Sequence, residues 1–316
     1  MTLESATRVL LDEFRAQPTM RAGSLIVTVF GDAIAPRGGT VWIGSLIRVM
    51  ADFGISERLV RTSIFRLSQD DWFEVEQSGR RSYYSLSADG EKKFSQATHR
   101  IYGEPRQAWS GDWCLILLPE LDAGIKEKLR RELLWLGFAT VSPGVLAHPS
   151  PDMNDLGASL NRTGCENELV VMQGRTTRSG QEAAMRGLVH KHWNLADIDQ
   201  RYETFVRKFR PVLSAAAKSK RMDPRTAFLI RMLLIQEYRK VLLRDPLLPA
   251  ELLPPKWHGT AAYQLCRNLY IAVFEAADRF MSEAMETADG PLPPPAPEFY
   301  MRFGGLEKRS DENVGA

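Results

Sequence analysis

Between Ile55 and Leu86, in ISERLVRTSIFRLSQDDWFEVEQSGRRSYYSL, the hydrophobic pattern switches from the helical period to the strand period within a few residues. Ser56 stands where a hydroxyl can accept an orphan backbone N–H, and Glu57 places a negative charge on the first turn. Val60, Ile64 and Leu67 recur at i, i+4 and i+7, so one stripe faces a core while Arg58, Arg61, Thr62 and Phe65 fall nearer the other side. Residues 72–76 and 81–86 are rich in aromatic and β-branched residues, and Gln77-Ser78-Gly79-Arg80 joins them as a turn. The stretch predicts a short helix followed directly by a β-hairpin with arginines at its tip.

Two further helices are expected before it. SLIVTVFGDAI keeps helical spacing through Leu25, Val29 and Ala33 until Pro36-Arg37-Gly38-Gly39 ends it; Thr40 then caps a helix with Trp42, Leu46, Val49 and Phe53 on its apolar stripe, stopped by Gly54. Helix, helix, helix, hairpin is the order of a winged helix-turn-helix, in which a recognition helix reads base edges and the wing grips phosphates. The run from Val60 to Leu67, VRTSIFRL, resembles the V-R-x-A-L-x-x-L signature of GntR-type winged helices. The residues expected at DNA are Arg58, Arg61, Thr62 and Arg66 on the helix, with Arg80, Arg81 and Tyr83 on the hairpin. The bland alternative is a surface helix and hairpin, since Glu57, Asp70, Asp71, Glu74 and Glu76 dilute the basic character.

Charge over the whole chain settles little: Lys+Arg 41 against Asp+Glu 39 leaves +2 in 316 residues, so any nucleic-acid affinity must come from a local patch. Cys114, Cys165 and Cys266 are too few and too scattered for a disulfide framework or a metal site, which fits a reducing cytoplasm. MTLESATRVLLDEF lacks a signal-peptide layout, and no apolar run approaches the roughly 20 residues that span a bilayer. A soluble cytoplasmic protein without membrane partners is expected.

After a polar linker helix capped by Ser87 and carrying Lys92, Lys93 and Arg100, Pro105 closes the first domain. The next segment alternates strand and helix: 113–118, a helix over 125–136, strands at 138–141 and 144–147, a helix near 154–160, and a strand at 168–172. That interleaving resembles a ferredoxin-like α+β sandwich. Residues 183–193, 195–209, 224–243 and 260–285 read as four helices, and Gly290-Pro291 with Pro293-Pro294-Pro295 begins a segment expected to be non-helical and flexible. The predicted architecture is therefore α+β multidomain: an N-terminal arm (1–20) of unreadable role, a winged helix (21–105), a ferredoxin-like middle domain (106–178), a C-terminal helical domain (179–289) and a Pro-rich tail (290–316).

The segments together resemble the PaaX family of bacterial repressors of phenylacetate catabolism. The resemblance is carried by GDAIAPRGGTVWIGSLIRVM and ERLVRTSIFRLSQDDWFEVEQSGRRSYYSLSADG in the first domain and by QAWSGDWCLILLP at the entry to the middle one. YETFVRKFRP and RDPLLPAELLPPKWHGTAAYQLCRNLY carry it near the C-terminus. It covers about residues 21 to 288. The resemblance implies a homodimer that binds an inverted-repeat operator and leaves it when phenylacetyl-CoA binds, with no cofactor.

Catalytic and metal motifs are weak throughout. His190 and His192 sit at i, i+2 and point to different helix faces. The loop from Asp152 opens like a Ca²⁺ loop but has Leu156 and Thr163 where oxygen ligands belong, and reads better as a helix cap. The glycines at 23, 31, 38 and 39 make no phosphate-binding loop. Effector phosphates call for cations, which Arg175, Arg178, Arg186 and Lys191 with Trp193, or Arg207, Lys208 and Arg210, can supply; a solvated basic surface explains each equally well. The competing readings are an acyl-CoA-processing enzyme or nuclease with a winged-helix targeting domain, and a winged helix that binds only protein.

Overall fold

Thr2 caps the first helix, its hydroxyl accepting from the Ser5 N–H at 3.2 Å, and α1 (Leu3–Arg15) follows with Leu10 and Phe14 buried. The computed structural model describes residues 2–17, 22–104, 109–120, 122–165, 167–176, 180–219 and 221–306. Pro18, Pro105, Arg178 and the end of the Pro-rich segment lie outside them. The described residues form two units, one within 2–104, 204–239 and 260–306 and one within 109–203 and 240–259.

In the first unit α2 (Ala22–Val29) is almost wholly apolar and buried, as its sequence requires. A single π turn (Phe30–Ile34) continues it and a 3-10 turn (Ala35–Arg37) ends it at Pro36, with Gly38 at φ +84°. Thr40 does not cap the next helix. Thr40–Trp42 is a strand, β1, whose β-branched and aromatic residues pair with a later strand, and Trp42 is the N-cap of α3 (Ile43–Ala51). Leu46, Val49 and Phe53 are buried as the spacing predicts. Then come α4 (Glu57–Gln69), β2 (Phe73–Ser78), β3 (Arg81–Leu86) and α5 (Ala88–Tyr102). Ser87 caps α5 by accepting from the Gly90 N–H at 2.9 Å. The sheet order is β1-β3-β2, and Ser78 pairs with Arg81. The turn is thus only Gly79-Arg80, with Gly79 at φ +60° in the first central position that glycine favours.

The second unit holds β4 (Asp112–Leu117), α6 (Ala123–Trp135), β5 (Ala139–Ser142), β6 (Val145–His148), α7 (Met153–Thr163) and β7 (Val170–Arg175), with sheet order β5-β6-β4-β7 and antiparallel pairs throughout. Both faces are covered, which explains the unbroken apolar run of β4. Cys114 and Ile116 pack with Leu129, Leu133, Leu156 and Leu160 of α6 and α7. Trp113 packs on the other side with Val189, Trp193, Leu248 and Leu252, bringing in α8 (Glu182–His192). Asp152 caps α7, its Oδ1 accepting from the N–H groups of Asn154 (2.9 Å) and Asp155 (3.1 Å).

Three long helices complete the chain: α9 (Leu195–Lys218), which continues through Pro211 beyond its expected end, α10 (Pro224–Leu242) and α11 (His258–Ala284). They do not stand as a separate unit. Residues 195–203 of α9 and the end of α10 group with the middle segment, and the rest of both helices groups with the N-terminal one. A two-residue pair, β8 (Glu286–Thr287) with β9 (Gly290–Pro291), follows.

The Pro-rich segment differs from expectation as far as it is described. Residues 297–304 form 3-10 turns in which Phe299, Arg302 and Phe303 are buried. Arg302 is held from a distance: its Nη1 donates to Asp32 Oδ1 at 3.0 Å and to the Tyr270 hydroxyl at 2.8 Å, and its guanidinium lies 3.9 Å from the Tyr102 ring centre. Arg231 donates to Asp32 Oδ2 and to Asp278 Oδ1, both at 2.6 Å, and Tyr102 and Tyr270 donate to Asp32 Oδ1 at 2.7 and 2.9 Å. Burial pushes the Asp32 carboxyl up, and these cations and hydroxyls outweigh it, leaving its pKa below the ordinary value.

Candidate nucleic-acid interface

The stretch around α4 folds as its pattern dictates. Ser56 Oγ accepts from the Leu59 N–H at 3.4 Å, and Val60 and Ile64 are completely buried with Leu67 half-buried. Arg58, Arg61, Thr62, Phe65 and Arg66 are exposed. Phe65, at 62% exposure, is a large apolar ring in solvent amid cations. Arg61 Nε donates to Glu57 Oε1 at 2.8 Å, and the Thr62 hydroxyl donates to the Arg58 carbonyl at 2.9 Å. Both contacts lie on the helix surface, and the exposed Arg61–Glu57 pair is worth only about 0.3 to 0.5 kcal/mol, so neither fixes these groups against a stronger partner.

Arg80 is exposed at the hairpin tip. Arg81 has more to hold it: its guanidinium lies 4.3 Å from the Trp42 ring centre, and its Nη1 donates to Glu286 Oε2 at 3.1 Å. A hydrogen bond with Tyr83 chiefly raises its pKa, Glu286 adding to the shift. Tyr83 itself is buried on the central strand, opposite Trp42 on one side and Glu76 on the other. It therefore does not offer its own ring to solvent. Strand alternation marked the position but not which face is covered.

Three residues here were missed from the sequence: Trp42, Arg48 and Glu286. Arg48 Nη2 donates to Glu286 Oε1 at 3.0 Å and its guanidinium lies 5.4 Å from the Trp42 ring centre, so one carboxylate joins two arginines around one indole. Glu286 has a lowered pKa, with the Arg48 hydrogen bond the largest cause. Its separation from them in the chain left no local signal.

The other singled-out cations serve varied ends. Arg175 pairs with Asp112, whose carboxyl is lowered to about 2 chiefly by that hydrogen bond. Lys208 Nζ lies 3.0 Å from Glu13 Oε2; Arg186, Lys191, Arg207 and Arg210 are exposed. Trp193 is buried and donates through Nε1 to the Gly137 carbonyl at 2.8 Å. His192 Nδ1 lies 3.0 Å from the Thr140 carbonyl oxygen, while His190 is exposed. Burial pushes the Cys114 thiol up to about 11, a packed and unreactive setting. No helix among the described residues is long and apolar enough to cross a membrane.

Comparison with known proteins brings in the whole chain. Residues 21–90 match the model described as PaaX-like protein, 106–186 that of the PaaX protein central Cas2-like domain, and 193–283 that of the PaaX-like protein C-terminal domain. Over 284 residues the chain is 39% identical to the transcriptional repressor PaaX of Escherichia coli (strain K12), covering 90% of each. A solved structure, the uncharacterized protein Rv0674 from Mycobacterium tuberculosis, is similar at 22% identity and a TM-score of 0.48, covering 75% of this chain and 89% of that one. The E. coli relative is a repressor, and the family to which it belongs is not enzymatic. With three consecutive family domains and that identity across nine-tenths of its length, this chain belongs to the PaaX family.

Proposed function

We propose that this protein is a transcriptional repressor that binds double-stranded operator DNA as a homodimer and is released by phenylacetyl-CoA. The observation that carries the reading is the side of α4 opposite Val60 and Ile64, where Arg58, Arg61, Thr62 and Arg66 are all exposed, beside a hairpin tipped by Arg80. We read α2 to α5 with β1 to β3 as a winged helix, α4 as its recognition helix and β2–β3 as its wing. The β-α-β-β-α-β order of the middle segment, with strand order β5-β6-β4-β7, supports a ferredoxin-like reading. The name of the 39%-identical relative supports repression.

Dimerisation follows from interface size. A single winged helix covers little DNA, and two recognition helices set one or two helical turns apart supply the specificity an inverted repeat requires. By linkage, an effector that weakens operator binding by some factor itself binds the operator complex more weakly by the same factor. The resemblance implies phenylacetyl-CoA, and the three scattered cysteines fit a cytoplasmic setting.

Electrophoretic mobility of the protein's own upstream promoter fragment tests this. The reading expects a shifted complex, lost on adding phenylacetyl-CoA and retained with phenylacetate. Release by the free acid alone sinks the CoA-thioester assignment, and no complex at any salt concentration sinks the repressor reading.

A further inference from the structure

We infer that the second unit holds a small-molecule site in a cavity of about 360 Å³ beside the C-terminal end of α6, and that its ligand is an anion carrying a flat apolar group. The inference rests on the repressor reading for the consequence of binding, not for the existence of the cavity.

The wall is preformed by interlocking polar contacts. Gly137 turns the chain out of α6 at φ +92°, and a Cβ there would lie 2.7 Å from the Pro246 carbonyl oxygen and 2.9 Å from His148 Nε2. Its own carbonyl accepts from Trp193 Nε1 at 2.8 Å, and His148 Nε2 lies 3.0 Å from the Pro246 carbonyl oxygen. These contacts hold that wall, and the cavity's size falls within the roughly 300 to 1,000 Å³ usual for small-molecule sites.

Its lining specifies the chemistry. Leu134, Trp135, Ile198 and Leu243 supply apolar surface, and Leu134 and Trp135 are 41% and 39% exposed, an uncommon exposure for such side chains side by side at a helix end. Arg130 and Arg244, both exposed, bring two positive charges to the same lining. The carboxylate in the wall, Asp245, is engaged elsewhere: it accepts from the Tyr202 hydroxyl and from the Leu247 N–H, each at 2.7 Å. Arg130 Nη1 lies 3.8 Å from Glu127 Oε2, an exposed pair that a stronger anion can outcompete, and two exposed cations beside apolar side chains suit an anion that stacks or inserts a planar group.

The cavity's position in the chain gives binding a route to effect. Ile198 lies on α9, and Leu243 follows α10 directly. Both helices run on into residues of the unit that carries α4 and the hairpin. A ligand here bears on the ends of the two helices that the units share.

Calorimetric titration of the full-length protein with phenylacetyl-CoA and with phenylacetate tests the site, with operator binding followed on the same preparations. Arg130→Ala with Arg244→Ala should weaken phenylacetyl-CoA binding by about tenfold or more. Thr140→Trp, at an exposed position in the lining, should block binding. Both variants should keep wild-type operator affinity in the absence of ligand. If both bind the thioester as wild type does, the cavity assignment is overturned while the repressor reading stands. If the wild type binds operator but neither probe, the cavity and the effector reading fall together and DNA binding survives.

Discussion

The same unit uses arginine in two opposite ways. Around Asp32, Arg37, Arg231 and Arg302 are buried, while on α4 and the hairpin Arg58, Arg61, Arg66 and Arg80 face solvent. In the buried set each guanidinium is compensated at close range. Arg231 and Arg302 reach Asp32, and Arg37 Nη2 lies 2.8 Å from Asp278 Oδ1, an ion pair without hydrogen-bond alignment. Burial raises the pKa of Tyr102 and Tyr270, so their hydroxyls remain neutral donors in the cluster. Such a cluster ties remote segments of the chain together and is costly to break in part, because the surviving charges stay out of water. In the exposed set, the side chains remain solvated, and their charge is available to a polyanion. Net charge, +2 for the chain, reports neither arrangement.

The largest effect that separates the two sets is expected at Asp32. Asp32→Ala leaves Arg231 and Arg302 buried without their shared carboxylate and should cost about 3 to 5 kcal/mol in urea unfolding, a penalty that no substitution among the exposed arginines should approach. The acid dependence has a definite sign. Because the folded pKa of Asp32 lies below its ordinary 3.8, its contribution is complete above that value and is lost as pH falls through the lowered folded one. Wild-type stability should therefore drop more steeply below pH 3.8 than that of the Asp32→Ala protein; equal slopes break the assignment.

A second, smaller effect belongs to Arg61. Arg61→Ala should weaken operator binding by about 1 to 3 kcal/mol with an unchanged unfolding midpoint, as for a lost base-edge contact. Arg80→Ala should instead weaken specific and non-specific DNA alike and reduce the salt slope by about one unit, the signature of one phosphate contact. The smallest expected effect is at Glu286. Glu286→Gln removes the carboxylate shared by Arg48 and Arg81, so non-specific affinity should rise and the salt slope should steepen by about one unit or less. A fall in affinity would mean that Glu286 holds Arg81 in place for DNA.

Legibility in the sequence followed the range of the interactions. The cap at Ser56, the stripe of Val60 and Ile64, and the hairpin were readable because each depends on neighbours within a few residues. So was the strand and helix order of the second unit, since β4 is buried on both faces and α6 is amphipathic. β1 was not readable, because Thr40–Trp42 becomes a strand only when β3 lies alongside. Nor was the burial of Arg302, whose partner Asp32 is 270 residues away and which follows a Pro-rich run. In the candidate interface, helical spacing identified the exposed arginines, while the covered face of Tyr83 and the shared carboxylate of Glu286 depended on the packed sheet and on β8.

In this protein the exposed arginines are expected to bind DNA and the buried ones to hold the fold. Operator affinity measured beside the unfolding midpoint, in one variant with Arg58, Arg61, Arg66 and Arg80 all changed to alanine, separates the two roles. Affinity for the protein's own promoter fragment should fall by at least about a hundredfold while the midpoint stays at the wild-type value. Wild-type affinity at an unchanged midpoint would contradict that division of roles.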